Sequence, residues 1–442
     1  MPRAGRRRGR RAAGLRHRRC GTGAHRRFAD IARVNGGSRA AGTAGYDVTA
    51  SYVEGLLRNA GYTVTVQRFS FQTYVLEAST LEQRTPSAAA LPHEVLEYSG
   101  SGEATAAVAA PAGALGCAAA DFAGFPRGTI ALVRRGDCPF QQKAAHAARA
   151  GALAVVVQNV DDAPIDGVLG ADFVLPMPVV GVSRTAGEQL RARLGEGLTL
   201  HLAVRGARPV IQTSSVLAET PGGDPAQVVM AGAHLDSVRG TIGGNDNASG
   251  AASLLETALQ MARFQPRNKV RFAFWGGEEE DLNGSRTYVA GLGASERARV
   301  AVYLNFDMIA SPNYVFGVFS GNGRAADGSP LPGNAGAAVP EVFTGYYERL
   351  GLPWRIDADD ARSDHTSFAE AGIPYGGLFT GDEAVKTPEQ AALWGGTAGL
   401  ALDACYHRPC DDGSNVSAAA LEVNAGLVAA SVLHFATHGL AR

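Results

Sequence analysis

The chain has 442 residues, 45% apolar and 19% charged, a length that calls for two or three domains of a soluble globular protein. No run of about 18 or more apolar residues occurs, so the sequence offers no membrane-spanning segment. Residues 1–27 hold eleven arginines and no acid, leaving 30 basic against 42 acidic groups elsewhere, a balance that argues against nucleic acid as the body's partner.

The basic head, residues 1–27, lacks the apolar stretch of a signal peptide and reads as disordered or as a misplaced start, outside the folded body, with a nucleic-acid tail as the alternative. From residue 28 to 71 the pattern is helix, loop, helix, strand. Asp47 caps a helix whose apolar face is Val48, Tyr52, Val53, Leu56 and Ala60. Gly61 stops it, and residues 62–66 alternate as a strand. Residues 72–97 read as an irregular connector with a Pro/Ala stretch.

A distinct module is expected over residues 98–206. Its strands fall at 129–133, 152–157 and 177–182, and its helices at 141–150 and near 186–194. It is rich in Ala, Gly and Val but poor in clustered acids and histidines, so it reads as a small α/β domain without chemistry of its own. From residue 211 strands and helices alternate. The strands are expected at 228–233, 270–275, 300–306, 314–319 and 375–379, and a long apolar-striped helix at 418–437. Such alternation implies an α/β fold with a mainly parallel sheet covered by helices on both faces. Residues 28–97 and 207–442 would then form one domain around the inserted module.

Apart from Cys20 in the head, the cysteines fall into two pairs. Cys405 and Cys410 are close enough to staple one loop, and Cys117 and Cys138 bracket a strand and turn. Paired cysteines favour an oxidising compartment; four free buried thiols are the alternative.

Chemistry-bearing residues recur at strand ends. Ala233-His234-Leu235-Asp236-Ser237 closes one strand, where His234 and Asp236 point to the same side. Gly243-Gly244-Asn245-Asp246-Asn247 precedes a helix, with Asp246 either a ligand or a capping acid. Four acids, Glu278-Glu279-Glu280-Asp281, follow a strand that ends at Trp275. Asp307 ends another, where burial without a partner would be costly. His407 lies inside the Cys405–Cys410 loop. Acids and histidines gathered at the carboxyl ends of parallel strands are what a divalent-cation site requires.

The motifs Gly232-Ala233-His234-Leu235-Asp236-Ser237, Asn245-Asp246-Asn247, Trp275-Gly276-Gly277-Glu278-Glu279, Asn305-Phe306-Asp307-Met308, Arg362-Ser363-Asp364-His365 and Cys405-Tyr406-His407 resemble those of the M28 zinc aminopeptidases. The likeness is in particular to the secreted, Streptomyces-type leucine aminopeptidases, and it covers nearly all of residues 28–71 and 211–436. Gly116-Cys117 and Arg135-Gly136-Asp137-Cys138-Pro139-Phe140 resemble a protease-associated (PA) domain. The resemblance implies a zinc-exopeptidase sheet of the phosphorylase/hydrolase-like kind and two zinc ions per chain. His234 and Asp307 would bind one ion, Glu279 and His407 the other, and Asp246 both. Glu278 would be the general base, Asp236 the partner of His234, and Tyr406 a donor to the tetrahedral intermediate.

It also implies a cis peptide at Asp246–Asn247, and a pocket with Met308, Phe379 and Tyr406 beside Arg362. The acid that captures the substrate's amine stays open among Asp357, Asp359 and Asp360, with Asp357 preferred. The expected partner is a peptide with a free N-terminus, neither nucleic acid nor membrane, and the chain a secreted monomer. Nothing in the sequence supports a calcium site. Glu280 and Asp281 depart from the uncharged residues usual there. A zinc carboxypeptidase, a single-zinc glutaminyl-cyclase-like enzyme and a non-catalytic binding protein on the same scaffold are the rivals. The first would want more arginines at the site, and the others would lack ligands that are all present here.

Overall fold

The computed structural model describes residues 14–165, 167–319, 321, 338–357 and 362–440. By packing it divides into two units: the chain up to Ser70 together with Gln212 onward, and Phe71–Ile211 between them.

The first unit is built on an eight-stranded sheet. Its strands are β1 (Thr63–Gln72), β2 (Val210–Glu219), β3 (Asp224–His234), β4 (Asn268–Trp275), β5 (Val300–Phe306), β6 (Gly317–Phe319), β7 (Arg355–Asp357) and β8 (Tyr375–Phe379). The order is β1-β2-β4-β3-β5-β8-β6-β7. Strands β4, β3, β5 and β8 run parallel, while β2 and β6 pair antiparallel at either side, so a parallel core sits in a mixed sheet. Alternate residues of each strand point to opposite faces. Phe272, Phe274, Leu304 and Phe306 therefore enter one core, while Trp275, Tyr303 and Tyr375 enter the other. The first core is closed by α1 (Gly14–Val34), α2 (Ala44–Asn59), α3 (Ala248–Met261), α4 (Pro340–Leu350) and α6 (Ala418–His438). On the second face Phe368, from α5 (His365–Glu370), stacks on Tyr303 with ring centroids 3.7 Å apart.

Four readings of the sequence are corrected. The basic head is not wholly outside the fold, because α1 begins at Gly14 and continues unbroken through residue 27. His25 is buried and donates to the Gly244 carbonyl at 2.7 Å, and Ala24 packs on the core beside Phe28. The arginines masked that short apolar stripe; residues 1–13 lie outside the described residues. The cap of α2 is Thr43, whose hydroxyl accepts from the Tyr46 amide, and Asp47 sits one turn in, where an acid still favours the helix dipole. The strand expected at 314–319 is shortened to β6, since Val315 donates its amide to Thr380 outside the ladder. By length and composition α6 could cross a membrane. In the fold, however, Leu427, Val428, Val432 and Phe435 are buried in the core.

The fourth correction concerns residues 72–97, which are not an irregular connector. Residues Val75–Thr85 form an eleven-residue strand that pairs antiparallel with Thr199–Ala207. Only Leu81 and Gln83 of that strand are buried, so the two-residue alternation was too weak to read. The boundaries expected at 98 and 206 accordingly move to 71 and 211. The second unit carries its own eight-stranded sheet and two cores of its own, around Val133, Val155 and Phe173 and around Leu132, Val156 and Leu202. Cys117 and Cys138 are bonded. Beside them buried Lys143 donates to the carbonyls of Leu115 (2.9 Å) and Gly136 (2.7 Å), which makes the Arg135-Gly136-Asp137 tripeptide a tied-down turn.

Replacing residues 71–211 by a short linker should leave the first unit folded, as read by circular dichroism and a cooperative melt. Within the second unit, Cys117→Ser with Cys138→Ser opens a link across 21 residues, and about 3 kcal/mol of stability should go with it. An unfolded excision product, or an unchanged melt of the double variant, would contradict the independence of the two cores.

Candidate active site

Parallel strands bring their carboxyl ends to one edge, and six side chains meet there. His234 ends β3, Glu278 and Glu279 follow the Gly276-Gly277 turn after β4, and Asp307 follows β5. Asp246 comes from the loop before α3, and His407 from the loop stapled by the Cys405–Cys410 disulfide. His234 Nε2 lies 3.1 Å from Asp246 Oδ1 and 3.1 Å from Asp307 Oδ1. His407 Nε2 lies 3.3 Å from Asp246 Oδ2 and 3.2 Å from Glu279 Oε2. The two oxygens of Asp246 thus face two different histidines. Potential donor atoms of His234, Glu278 and Asp307, and of His234, Asp246 and Glu279, fall within 4.8 Å of one another, a spacing that suits a metal ion. His234 is only 1% exposed, whereas His407 is 39% exposed, so the cleft opens on the His407 side.

The residues behind these six decide their aim. Asp236 Oδ1 sits 3.7 Å from His234 Nδ1, and its two oxygens accept the amides of Glu278 and Glu279, both at 3.4 Å. A chain of donors runs from Trp275 Nε1 to the Tyr303 hydroxyl, to Asn305, to Ser363 and, at 2.7 Å, to Asp307 Oδ2. Asp411 accepts the amides of Asn245 (2.6 Å) and Asp246 (3.1 Å). Asp403 accepts from the Asn245 side chain (2.8 Å) and from the Cys405 amide (2.9 Å). The acids bracketing the disulfide loop therefore hold the Asn245–Asp246 segment and the His407 loop together. Ser363 was visible only as part of a motif, and Asp403 and Asp411 only as acids flanking two cysteines.

Asp246 does not cap α3. That role falls to Asn247, whose side chain accepts the Gly250 amide at 2.9 Å, and this frees Asp246 for the cluster. The Asp246–Asn247 peptide is cis. Met308 is buried with a positive φ of 48°, one residue beyond Asp307. Phe379 ends β8 and its ring lies parallel to Phe319 with centroids 6.1 Å apart. The Tyr406 hydroxyl accepts from Arg362 at 3.0 Å, and Arg362 also reaches Asp382 and Glu383. His365 is sandwiched between the rings of Phe319 and Tyr375.

Asp357 sits differently from the expectation. β7 runs antiparallel to β8, so Asp357 is level with Gly377 and Asn305, short of the strand tips, and its carboxylate meets Arg355 of the same strand. Asp359 and Asp360 lie outside the described residues. Asp281 pairs with Arg286 and is largely exposed.

Burial and crowding set the charge states. Burial pushes Glu278 well above the usual carboxylate range, and burial with neighbouring Asp246 brings Glu279 up to about 7. Burial also lifts Asp411 and Asp364 to about 7. For Asp246 burial acts upward, but hydrogen bonds to His234 and His407 outweigh it and hold the acid low. Burial works against a charged His407, yet Glu279 and Asp246 carry it up to about 11. A cluster in which acids outnumber histidines needs added positive charge, from protons or from a cation.

Known proteins resemble this chain along most of its length. The model of peptidase family M28 matches residues 215–432, and that of the PA domain matches residues 104–190. An aminopeptidase of Pseudomonas aeruginosa is 41% identical over 418 residues, spanning 90% of this chain and 77% of its own. The chain belongs to peptidase family M28. A second relative, the probable leucine aminopeptidase 2 of Aspergillus fumigatus, is 41% identical over 346 residues, spanning 77% of this chain and 68% of its own. Among solved structures, a zinc aminopeptidase from Bacillus subtilis superposes with a TM-score of 0.70 at 26% identity, covering 96% of each chain.

The shifted acids of this M28 peptidase set a pH dependence for the metal-free protein. Glu279, Asp364 and Asp411 keep protons up to about pH 7 when folded, whereas in the unfolded chain they lose them near about pH 4. The folded state binds more protons in that window, so stability falls as pH rises through it. His407, protonated to about pH 11 when folded, adds a loss of the same sign above its unfolded value. The melting temperature of chelator-treated protein should therefore decline from about pH 5 to about pH 9, and saturating divalent metal should flatten the decline. A melting temperature that rises across this range would contradict the assignment.

Proposed function

We propose that this chain is an aminopeptidase with two zinc ions in one site, removing large apolar residues from the free N-termini of peptides. The observation that carries the reading is Asp246, with one oxygen turned to His234 and the other to His407. A carboxylate is the side chain that can bridge two cations, because it offers two anionic oxygens. The surroundings fit such a pair. Glu279 Oε1 is buried without a hydrogen-bond partner, and the donors are imidazole nitrogens and carboxylate oxygens, which suit zinc. His234 and Asp307 would hold one ion, Glu279 and His407 the other, and Asp246 both.

Bound zinc would supply a water made acidic enough to attack at neutral pH, and a pull on the scissile carbonyl. Glu278 is the residue for the proton. It stands within the cluster, 3.8 Å from His234, and its raised affinity for protons suits a base that must take one and release it to the leaving amine. Tyr406 stays protonated, because burial and then Asp246 raise its pKa far above the ordinary value. Its hydroxyl accepts from Arg362, which turns its own proton outward to meet the developing oxyanion. Asp236 keeps the ring of His234 aimed.

Met308, Phe379 and Tyr406 would line the pocket for the first side chain, where burial rewards each methylene by about 0.8 kcal/mol. The acidic cleft suits an ammonium group and disfavours a C-terminal carboxylate. The nearby Arg362 is engaged by Asp382 and Glu383, which speaks against a carboxypeptidase. An oxidising, extracytoplasmic compartment fits the two disulfides, and the chain is proposed to act there as a monomer.

Metal analysis should return two zinc ions per active chain, and Asp246→Ala should lose both. Glu278→Gln should keep zinc and fold while activity drops by about 10²–10⁴-fold; near-wild-type turnover would shift the role of base to Glu280. Across chromogenic amides, leucyl should be cleaved well and acetyl-leucyl not at all. A clear lysyl preference would assign Glu280 and Asp281 to the pocket rim, against the apolar reading.

A further inference from the structure

His234 and Asp246 are joined by eleven residues, 235–245, that contain neither helix nor strand. Something other than a backbone ladder has to fix the distance between them. Arg39, from the loop between α1 and α2, is wholly buried against this segment. Its guanidinium donates from Nε to the Ile242 carbonyl (2.8 Å), from Nη2 to the Gly243 carbonyl (2.7 Å) and from Nη1 to the Leu235 carbonyl. Its own amide donates to the Ser237 hydroxyl (3.2 Å), which in turn donates to the Thr241 carbonyl (3.0 Å). The Phe28 ring lies 5.7 Å from the guanidinium carbon.

One planar fork thus grips the loop next to His234 at one end and three residues before Asp246 at the other. A lysine could keep the charge but not this geometry, since it ends in a single ammonium on a flexible stem.

We propose that Arg39 is a positioning residue for the metal pair: by clamping Leu235, Ile242 and Gly243 it sets the placement of the bridging Asp246 relative to His234, and with it the affinity of the site for metal. This rests on the dinuclear reading above. Among the described residues Arg39 makes its side-chain hydrogen bonds to the loop carbonyls and not to the five proposed ligands; its charge is felt by Asp246 and Glu279, and the lysine variant keeps that charge while losing the grip on the loop.

The test is zinc affinity, read by competition with a chromophoric chelator without any substrate, on wild type, Arg39→Lys and Ser237→Ala. Melting curves of the three metal-free proteins are recorded alongside. Arg39→Lys should bind zinc about 10–100-fold more weakly, the scale on which residues that support metal ligands act. Its KM at saturating zinc should stay near that of wild type. Ser237→Ala, which loses one anchor of the same loop, should weaken zinc in the same direction by a smaller factor.

If both variants hold zinc within about twofold of wild type, the proposal is overturned, and any loss in melting temperature then marks Arg39 as a purely structural residue. Should Arg39→Lys fail to fold, Ser237→Ala decides alone: weakened zinc supports the proposal, and wild-type affinity overturns it. A wild type that takes up no zinc would sink the dinuclear reading and this proposal with it.

Discussion

Burying a carboxylate between two imidazoles at the tips of a parallel sheet is the constraint on which this molecule depends. Asp246 is almost wholly inaccessible, and so are Glu278, Glu279 and Asp307 around it. Taken out of water singly, each would protonate or drive the fold apart. Together with His234 and His407 they form a site that makes sense only if positive charge is shared among them. The hydrogen bonds that immobilise the cluster are the means by which the fold tolerates that cost.

Those supports come from distant parts of the chain. Asp411 and Asp403, on either side of the disulfide loop, hold the Asn245–Asp246 segment. Asp236 holds the Glu278–Glu279 turn, and a relay from Trp275 to Ser363 holds Asp307. Arg39 holds the loop that leads from His234 to Asp246. The cluster is thus aimed by hydrogen-bonded neighbours drawn from several separate segments. The arrangement forms only when the sheet, the loop before α3 and the stapled loop are all in place.

The second unit shows the contrasting case of a module with its own sheet, its own cores and its own disulfide. No cluster of histidines and acids with metal-ligand spacing occurs in it among the described residues. The cluster of histidines and acids in this M28 peptidase lies in the first unit.

Much of the cluster was legible in the order of residues because His234, Glu278, Glu279 and Asp307 sit at or just after strand ends. A strand announces itself by an apolar run, so an acid or histidine at its tip stands out, as with His234, Asp307 and the acids after Trp275. The two cysteine pairs were legible from spacing for the same local reason. What the sequence by itself could not determine was whatever depends on distant segments meeting. Asp357 pairs with Arg355 of its own strand and lies beside Gly317 of β6, a fact of strand direction rather than of motif. The extent of the second unit depended on a strand with only two buried residues, too faint a pattern to read alone. The role of Arg39 had no local signal at all, lying in a loop about 200 residues before the carbonyls it grips. Local periodicity fixes which residues become elements and tips. Only the folded chain decides which backbone carbonyl lies within hydrogen-bond reach of a buried guanidinium, because that contact is made between segments whose sequences carry no trace of each other.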